Sequence, residues 1–208
     1  LYGDLEEDER EELKSELRRV RDEQNLEANL RPGLGTIFVA LADRVVNNDG
    51  ILSFVLPKTL LSGSDWDKTR GIIDKYDLKN VISSHEAGNW NFSEDTSLSE
   101  TMIVAKGPIS EEADDKEHTY YINLWQQPKA YAESLSLSNL ISNAEDANIS
   151  SRGVAELKTG GKKYGEIIKA PTQQEDLPWV LPSAFAQSEL ATAGYHLLNG
   201  DIYIPGLG

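Results

Sequence analysis

Residues 49–63 read DGILSFVLPKTLLSG, and the apolar run inside them points to the fold class. The run ILSFVL (51–56) is short and uninterrupted, which is typical of a strand covered on both faces. Pro57 follows directly, and because proline donates no hydrogen bond to a sheet, we predict that the strand ends there. This abrupt end predicts that Lys58 lies at the rim of a sheet.

Helices are predicted on both sides of this strand. The segment 36–50 is mostly apolar, ends in the turn sequence NNDG, and predicts a helix buried over a broad face. Its predicted inward residues are Ile37, Ala40, Leu41 and Val45. After the strand, Ser64 is predicted to cap a second helix that has aspartates in its first turn. One face of that helix carries Trp66, Ile73 and Tyr76.

Further strands follow, and together with the helices they predict the fold class. Three apolar segments predict strands at 78–84, 99–107 and 119–128. A helix is predicted within 130–147, and the stretch NGDIYIPG (199–206) predicts a last strand after a tight turn. This alternation of helices and strands is typical of an α/β layer fold.

The chain divides into three predicted parts. These are an acidic helical insertion (1–31), an α/β unit (32–107) and a linker and connector (108–208). Within the first part, the segment 5–27 predicts a charged helix with a narrow apolar stripe. That stripe consists of Leu13, Leu17 and Val20. A solvated surface helix is the simpler interpretation, and a partner-binding or DNA-facing helix is the alternative.

Composition excludes several kinds of site. The chain has no cysteine, so it has neither disulfides nor thiolate chemistry, and its three histidines are too far apart in sequence to suggest a metal site. The net charge of -15 argues against a surface that coats nucleic acid, although a local basic cleft would still bind it. No apolar run approaches the ~20 residues of a membrane span. We therefore expect no membrane partner and a cytoplasmic location.

Familiar catalytic motifs are absent from the sequence. The stretch TGGKKYG (159–165) lacks the spacing of a phosphate-binding loop and is not expected to follow a strand. Neither a G-x-S-x-G elbow nor an H-E-x-x-H pair occurs. From the residues alone we predict an α/β domain without catalytic, cofactor-binding or metal-binding residues of its own. The chain lacks an initiating Met, and we expect it to be part of a longer protein.

An ordered set of short motifs between residues 33 and 107 resembles a known family. The set begins with FVLP (54–57), continues through a helix with W…R…I…Y and the strand LKNVISS (78–84), and ends with a DTS-containing loop and the strand ETMIVAK (100–106). It resembles the downstream half of the catalytic domain of restriction–modification DNA adenine-N6 methyltransferases (type I or gamma-like). The order and spacing of the set, rather than any single piece, support the resemblance.

The resemblance implies a doubly wound, Rossmann-like sheet with a C-terminal extension. Such sheets bind ligands at the carboxyl ends of their strands, and this family binds S-adenosylmethionine there. Residues 51–56 would be the fifth strand of the family, 78–84 the sixth, and 99–106 the reversed seventh. The helix 5–27 would be part of a variable insertion. Residues 119–208 resemble, more loosely, a connector toward a target-recognition region.

Two loops of the family are missing from the sequence. They are the glycine-rich cofactor loop and the Asn/Asp-Pro-Pro-Tyr/Phe loop, which would both lie N-terminal to Leu1. We therefore expect S-adenosylmethionine to bind the complete protein, and these residues alone to be inactive. Expected partners are DNA, through the complete protein, and a restriction or specificity subunit. Two alternatives stay open: a non-catalytic module that binds DNA or a partner, and an unrelated acidic α/β domain.

The resemblance also implies contacts to a flipped target base. Methyltransferases acting on duplex DNA turn the nucleotide out and stack it on aromatic side chains. Phe92 aligns with the stacking residue of the family, and Trp90 is a near alternative. Lys58 is predicted to touch a phosphate. The simpler interpretations are that the two aromatic residues pack onto the core and that Lys58 is a solvated rim lysine.

Overall fold

The computed structural model describes residues 5–84, 100–108, 118–144, 154–171, 196–198 and 201–203. The helices are α1 (Glu7–Glu23), α2 (Leu34–Val45), α3 (Asp67–Ile73) and α4 (Tyr131–Ser142). Two short 3-10 turns span Lys58–Leu61 and Ser64–Trp66. The strands are β1 (Ile51–Pro57), β2 (Tyr76–Ser84), β3 (Glu100–Pro108), β4 (His118–Leu124), β5 (Val154–Thr159), β6 (Lys162–Pro171), β7 (His196–Leu198) and β8 (Asp201–Tyr203).

Six of the described strands form one open sheet in the order β1-β3-β2-β4-β6-β5. The pair β2/β4 is parallel, and the other four pairs are antiparallel. Consequently β1, β2, β4 and β5 run in one direction, while β3 and β6 run in the other. Strands β7 and β8 form a separate antiparallel pair. The reversed direction predicted for the strand at 99–106 is confirmed, since β3 lies antiparallel to both of its neighbours.

Helices cover both faces of this sheet. Neighbouring residues of a strand point to opposite faces, and the core divides accordingly. Tyr121 and Ile168 belong to the buried cluster that contains residues of α1, α2 and α3. Ile122 and Ile167 belong to a second cluster, which contains Leu137 of α4. The α/β fold class is thus confirmed, with an open, partly parallel sheet of the Rossmann-like kind.

Strand β1 differs from its prediction. It was expected to be covered on both faces, but its burial alternates, and Ile51 and Val55 are 65% and 38% exposed. The reason is its place at the edge of the sheet, where among the described elements only one of its faces meets helices. Val45 was also predicted to be buried, and it is 80% exposed because α2 ends at this residue.

The second predicted helix starts later than expected. Ser64 opens a 3-10 turn instead of capping a helix, and α3 begins at Asp67. The buried guanidinium of Arg70 helps to hold this turn, because its Nη1 donates to the carbonyl oxygens of Leu60 and Gly63, at 2.7 and 2.9 Å. Tyr76, predicted to lie on the same helix, is the first residue of β2.

Helices α1 and α4 and strand β4 agree with the predicted types, with shifted ends, whereas strands β5 and β7 were not predicted. Helix α1 is confirmed with Leu17 buried and its neighbours on the stripe partly buried. Helix α4 is confirmed, and β4 ends at Leu124 rather than near residue 128. Strands β4, β5 and β6, which lie beyond residue 108, continue the same sheet, while the division of the chain into three parts stays a prediction.

Helix α4 is linked to β6 by a hydrogen bond whose donor, the Tyr164 phenol, loses its proton at high pH. The hydroxyl of Tyr164 donates to the Glu133 carboxylate, which also accepts from the backbone nitrogens of Lys129 and Ala130. The bond to Glu133 raises the pKa of Tyr164 to about 12. Since a raised pKa favours the protonated phenol in the folded state, this link is complete below the ordinary tyrosine pKa and is lost above it.

A Tyr164→Phe variant is therefore expected to unfold at a lower temperature than the unmodified protein at pH 9. The gap between the two melting temperatures should narrow as pH rises from about 10 to about 12, because only the unmodified protein can lose this bond to alkali. Melting curves of both proteins across this range test the link. Tyr76 titrates in both proteins and cancels in the difference. A gap that stays constant with pH would contradict the assignment.

Candidate functional site

The described strands that share one direction end at a common edge of the sheet, which we call the carboxyl rim. The last residues of these strands are Pro57, Ser84, Leu124 and Thr159. The reversed strands β3 and β6 begin at the same rim, with Glu100 and Lys162. Open α/β sheets bind their ligands at this edge because the strand ends and loops there leave groups free for contact.

Lys58 lies on the carboxyl rim, as predicted. It directly follows β1, and its Nζ donates to the carbonyl oxygen of Ser84 at 3.4 Å. The ammonium is half-buried, and this burial lowers the pKa of Lys58. Lys58 is therefore anchored beside the end of β2. Its predicted contact with a phosphate stays a prediction.

The two aromatic residues predicted to stack on a base lie outside the described residues. Phe92 and Trp90 belong to the segment 85–99, which leaves the sheet at Ser84 and re-enters it at Glu100. Both ends of this segment are on the carboxyl rim, and Glu100 pairs with the last residue of β1. The segment thus starts and ends next to Lys58.

A row of buried polar side chains crosses the sheet just behind the rim. Its members are Thr101, Ser83, Asn123 and Glu166, which lie side by side on successive strands. The Thr101 hydroxyl donates to the carbonyl oxygen of Ile82 at 3.0 Å, so it must accept the 3.2 Å bond from Ser83. We did not predict this row from the sequence. The signal for it is the presence of polar residues near the rim end of each of these apolar strands.

The row ends in an ion-paired cluster on β5 and β6. Glu166 is 1% exposed, and its carboxylate is bonded by Lys163 Nζ at 2.9 Å. The same ammonium lies 3.1 Å from a Glu156 oxygen and 4.5 Å from the centre of the Trp125 ring. The bond to Glu166 raises the pKa of Lys163, which keeps the ammonium charged beside the buried carboxylate. This pairing makes the burial of Glu166 tolerable.

The glycine pair in TGGKKYG forms the turn between β5 and β6. Gly160 and Gly161 have φ angles of 57° and 78°, as a two-residue type I′ turn requires. The expectation that no strand precedes this stretch was wrong, because β5 leads into it. The inference that it is not a phosphate loop of the usual kind stands, since the chain continues into a strand and not into a helix.

The described residues do not fit S-adenosylmethionine. The glycine turn at 160–161 leads into a strand, and the rim hydroxyls of Ser83 and Thr101 are buried and bonded to each other. Within the described ranges there is also no group of acidic or histidine side chains that would hold a metal ion. Nor does any described helix have the length and apolar character that a membrane crossing needs.

Comparison with known proteins gives matches among solved structures. No protein-family model and no curated protein matches this chain. Among the 14 chains of solved structures that do match, one comes from a type I restriction–modification system, solved to explain its complex assembly and conformational transition. The two sequences are 13% identical and the TM-score is 0.38. The match covers 53% of this chain and 24% of that chain, so this chain spans a minor part of the other.

Proposed function

We propose that these residues are part of an S-adenosylmethionine-dependent DNA adenine-N6 methyltransferase of a restriction–modification system. In this role they contribute strands of the sheet and the loop that stacks on the target base. The observation that carries the proposal is the order β1-β3-β2, in which β3 runs antiparallel between two strands of the same direction. The resemblance of the motifs at 51–56, 78–84 and 99–106 to the family predicts that reversal.

The strand order also supports a role for the segment 85–99 in contacting a flipped base. Because β2 ends and β3 begins on the carboxyl rim, the segment 85–99 is attached where α/β sheets bind their ligands. Phe92, or Trp90 as the near alternative, would stack on the extruded adenine, a contact worth ~1–3 kcal/mol per base. Lys58 would hold a phosphate next to that base. S-adenosylmethionine and the groups that orient the adenine amine would belong to other parts of the complete protein.

A non-catalytic module that binds DNA or a restriction partner is the second candidate. It is favoured by the buried polar row, in which the hydroxyl groups of Ser83 and Thr101 bond to each other and to the backbone. Groups used in this way hold strands together and are not available to move protons. The partners in either case would be DNA and a restriction or specificity subunit.

The test is Phe92→Ala in the protein encoded by the whole reading frame that contains these residues. Methylation of duplex DNA is expected to fall by about 10- to 100-fold, because a stacking contact of ~1–3 kcal/mol is lost. The melting temperature should change little, since a base-stacking side chain is not part of the core. Tritiated methyl transfer and thermal unfolding measure the two effects.

Two comparisons make this test specific. Phe92→Trp keeps an aromatic face and should retain most of the methylation, while Trp90→Ala shows whether the neighbouring ring shares the role. If Phe92→Ala instead costs several kilocalories of stability, Phe92 belongs to the core and the stacking role is wrong. A whole reading frame that does not transfer methyl groups to DNA at all would favour the non-catalytic module.

A further inference from the structure

The tip of the β5–β6 hairpin concentrates positive charge in a strongly acidic chain. Residues 157–163 contain three lysines and no acid, whereas the whole chain has 35 acidic and 20 basic residues. The tip is formed by Lys158, the glycine turn, Lys162 and Lys163, and it projects at the carboxyl rim. In a chain with a net charge of -15, polyanions are repelled from most of the surface, so a local basic surface of this kind decides where one binds.

The three lysines are not equivalent. Lys163 forms ion pairs with Glu156 and Glu166, so its positive charge is largely neutralised within the fold. Lys158 lies directly opposite Lys163 in the ladder, which is an unfavourable place for a like charge. Lys158 and Lys162 are both exposed, and among the described residues neither has an ion pair within 4.0 Å. These two ammonium groups are the ones that an external anion can reach.

Aromatic rings lie beside this charge. Lys162 Nζ is 4.6 Å from the centre of the Tyr164 ring, and the Trp125 ring lies against Lys163. The partly exposed Trp125 ring can offer apolar contact to a nucleic acid whose phosphates meet the ammonium groups. The Tyr164 ring is 1% exposed, so it holds Lys162 in place and does not reach a ligand. The glycine turn leaves the tip narrow, since neither Gly160 nor Gly161 has a side chain to keep a backbone away.

The distance of the tip from the end of β2 matches the dimensions of DNA. Neighbouring strands are about 4.8 Å apart, so β6 and β5 lie about 10 and 14 Å from β2 along the rim. The major groove of B-DNA is about 12 Å wide. A duplex held at the end of β2 would therefore bring a phosphate backbone to the hairpin tip across one groove. Lys58 directly follows β1, which lies two strands from β2 in the opposite direction along the rim.

We propose that the hairpin tip is a phosphate-binding site for duplex DNA, with Lys158 and Lys162 as its contact residues. The choice of DNA as the polyanion rests on the proposed function, and the site itself rests on the charge and geometry of the tip. The two lysines would anchor the backbone without reading sequence, since an ammonium group carries a point charge and no base-specific pattern.

The experiment compares two charge-reversed double variants of the 208-residue chain. K158E/K162E changes the tip. K68E/K106E is the matched control, because Lys68 and Lys106 are exposed and lie in α3 and at the opposite end of the sheet. Binding of a fluorescein-labelled duplex is followed by anisotropy between about 50 and 200 mM salt. Circular dichroism verifies that each variant is folded.

K158E/K162E is expected to weaken binding by about tenfold at the lower salt and to reduce the slope of log affinity against log salt by about 2, one for each lost phosphate contact. K68E/K106E should change affinity by less than about threefold, since distant charges are screened. K158R/K162R should bind like the unmodified chain. Equal losses in both charge-reversed variants, no loss in K158E/K162E, or no binding by the unmodified chain would each overturn the proposal.

The salt-dependence experiment on the hairpin tip and the Phe92→Ala experiment on the proposed function can fail independently of each other. Methylation that depends on Phe92, together with an unchanged salt slope in K158E/K162E, would remove the hairpin site and leave the methyltransferase role. A reduced slope together with Phe92-independent activity would keep the DNA-binding tip and remove the base-stacking loop. Competition with heparin, a sulfated polyanion without nucleotides, distinguishes a DNA site from general affinity for polyanions.

Discussion

Gly165→Ala is expected to lower the free energy of unfolding by at least about 3 kcal/mol. A methyl group at this position would overlap the backbone carbonyl oxygen of Asn123 on the neighbouring strand. Since both partners are backbone, neither can move without separating β4 from β6 and breaking the ladder between them. A natural domain has only about 5–15 kcal/mol of stability in total, so this loss is a large fraction of it.

The measurement is urea unfolding of the variant and of Gly71→Ala. Gly71 lies within α3, and a methyl group there would meet nothing within 4 Å. That control should be neutral or stabilising by up to about 1 kcal/mol, because alanine is the better helix former. Gly165→Ala should also release the β5–β6 hairpin from the carboxyl rim. If the two variants have similar stability, the close contact between Gly165 and Asn123 is wrong.

Trp66→Ala is also expected to have a large effect, lowering the free energy of unfolding by about 3–5 kcal/mol. The Trp66 side chain is 2% exposed, and its Nε1 donates to the Thr59 hydroxyl at 3.0 Å. Its ring lies close to Gly35, where an added methyl group would be 3.4 Å from the ring and would overlap Leu56. The indole therefore joins α2, the end of β1 and the turn before α3, and its removal leaves a cavity that none of these can fill.

Trp66→Phe separates packing from hydrogen bonding in this prediction. Phenylalanine keeps most of the apolar contact and loses the bond to Thr59, so it should cost about 1–2 kcal/mol. Urea unfolding of the three proteins gives both values. A loss of less than about 1 kcal/mol for Trp66→Ala would mean that the indole is not part of the core. Because Trp66 lies away from the hairpin, its effect should be additive with that of Gly165→Ala.

The types of most elements could be predicted from the sequence, because they depend on local patterns. The run at 51–56 followed by Pro57 predicted a strand with a defined end, and the acidic segment 5–27 predicted a helix with one narrow apolar stripe. The predicted ends were less accurate. Ser64 was expected to cap a helix because its side chain suits that position. It opens a 3-10 turn instead, and the guanidinium of Arg70, six residues further along, binds the carbonyl oxygens of Leu60 and Gly63 just before that turn.

The candidate site was predicted only in part, and for a different reason. Lys58 was expected at the rim because it directly follows the strand-ending proline, and it lies there. The buried row from Thr101 to Glu166 and the charge of the hairpin tip were not predicted. The row consists of residues from strands far apart in the chain, so its closeness depends on strand order and register. The tip lysines are close in sequence, but their place on the carboxyl rim depends on how the hairpin joins the sheet.

The sequence by itself determined the α/β class, the site where β1 stops and the absence of a complete catalytic motif, since each depends on residue type and short-range order. Only the tertiary structure decided that β1 is an edge strand with one open face, that β3 lies between β1 and β2, and that Lys158 and Lys162 share a rim with Lys58. The physical reason is that pairing joins strands through backbone hydrogen bonds, which all residues except proline can form. Side-chain patterns therefore predict which segments become strands, but long-range packing selects which strands become neighbours.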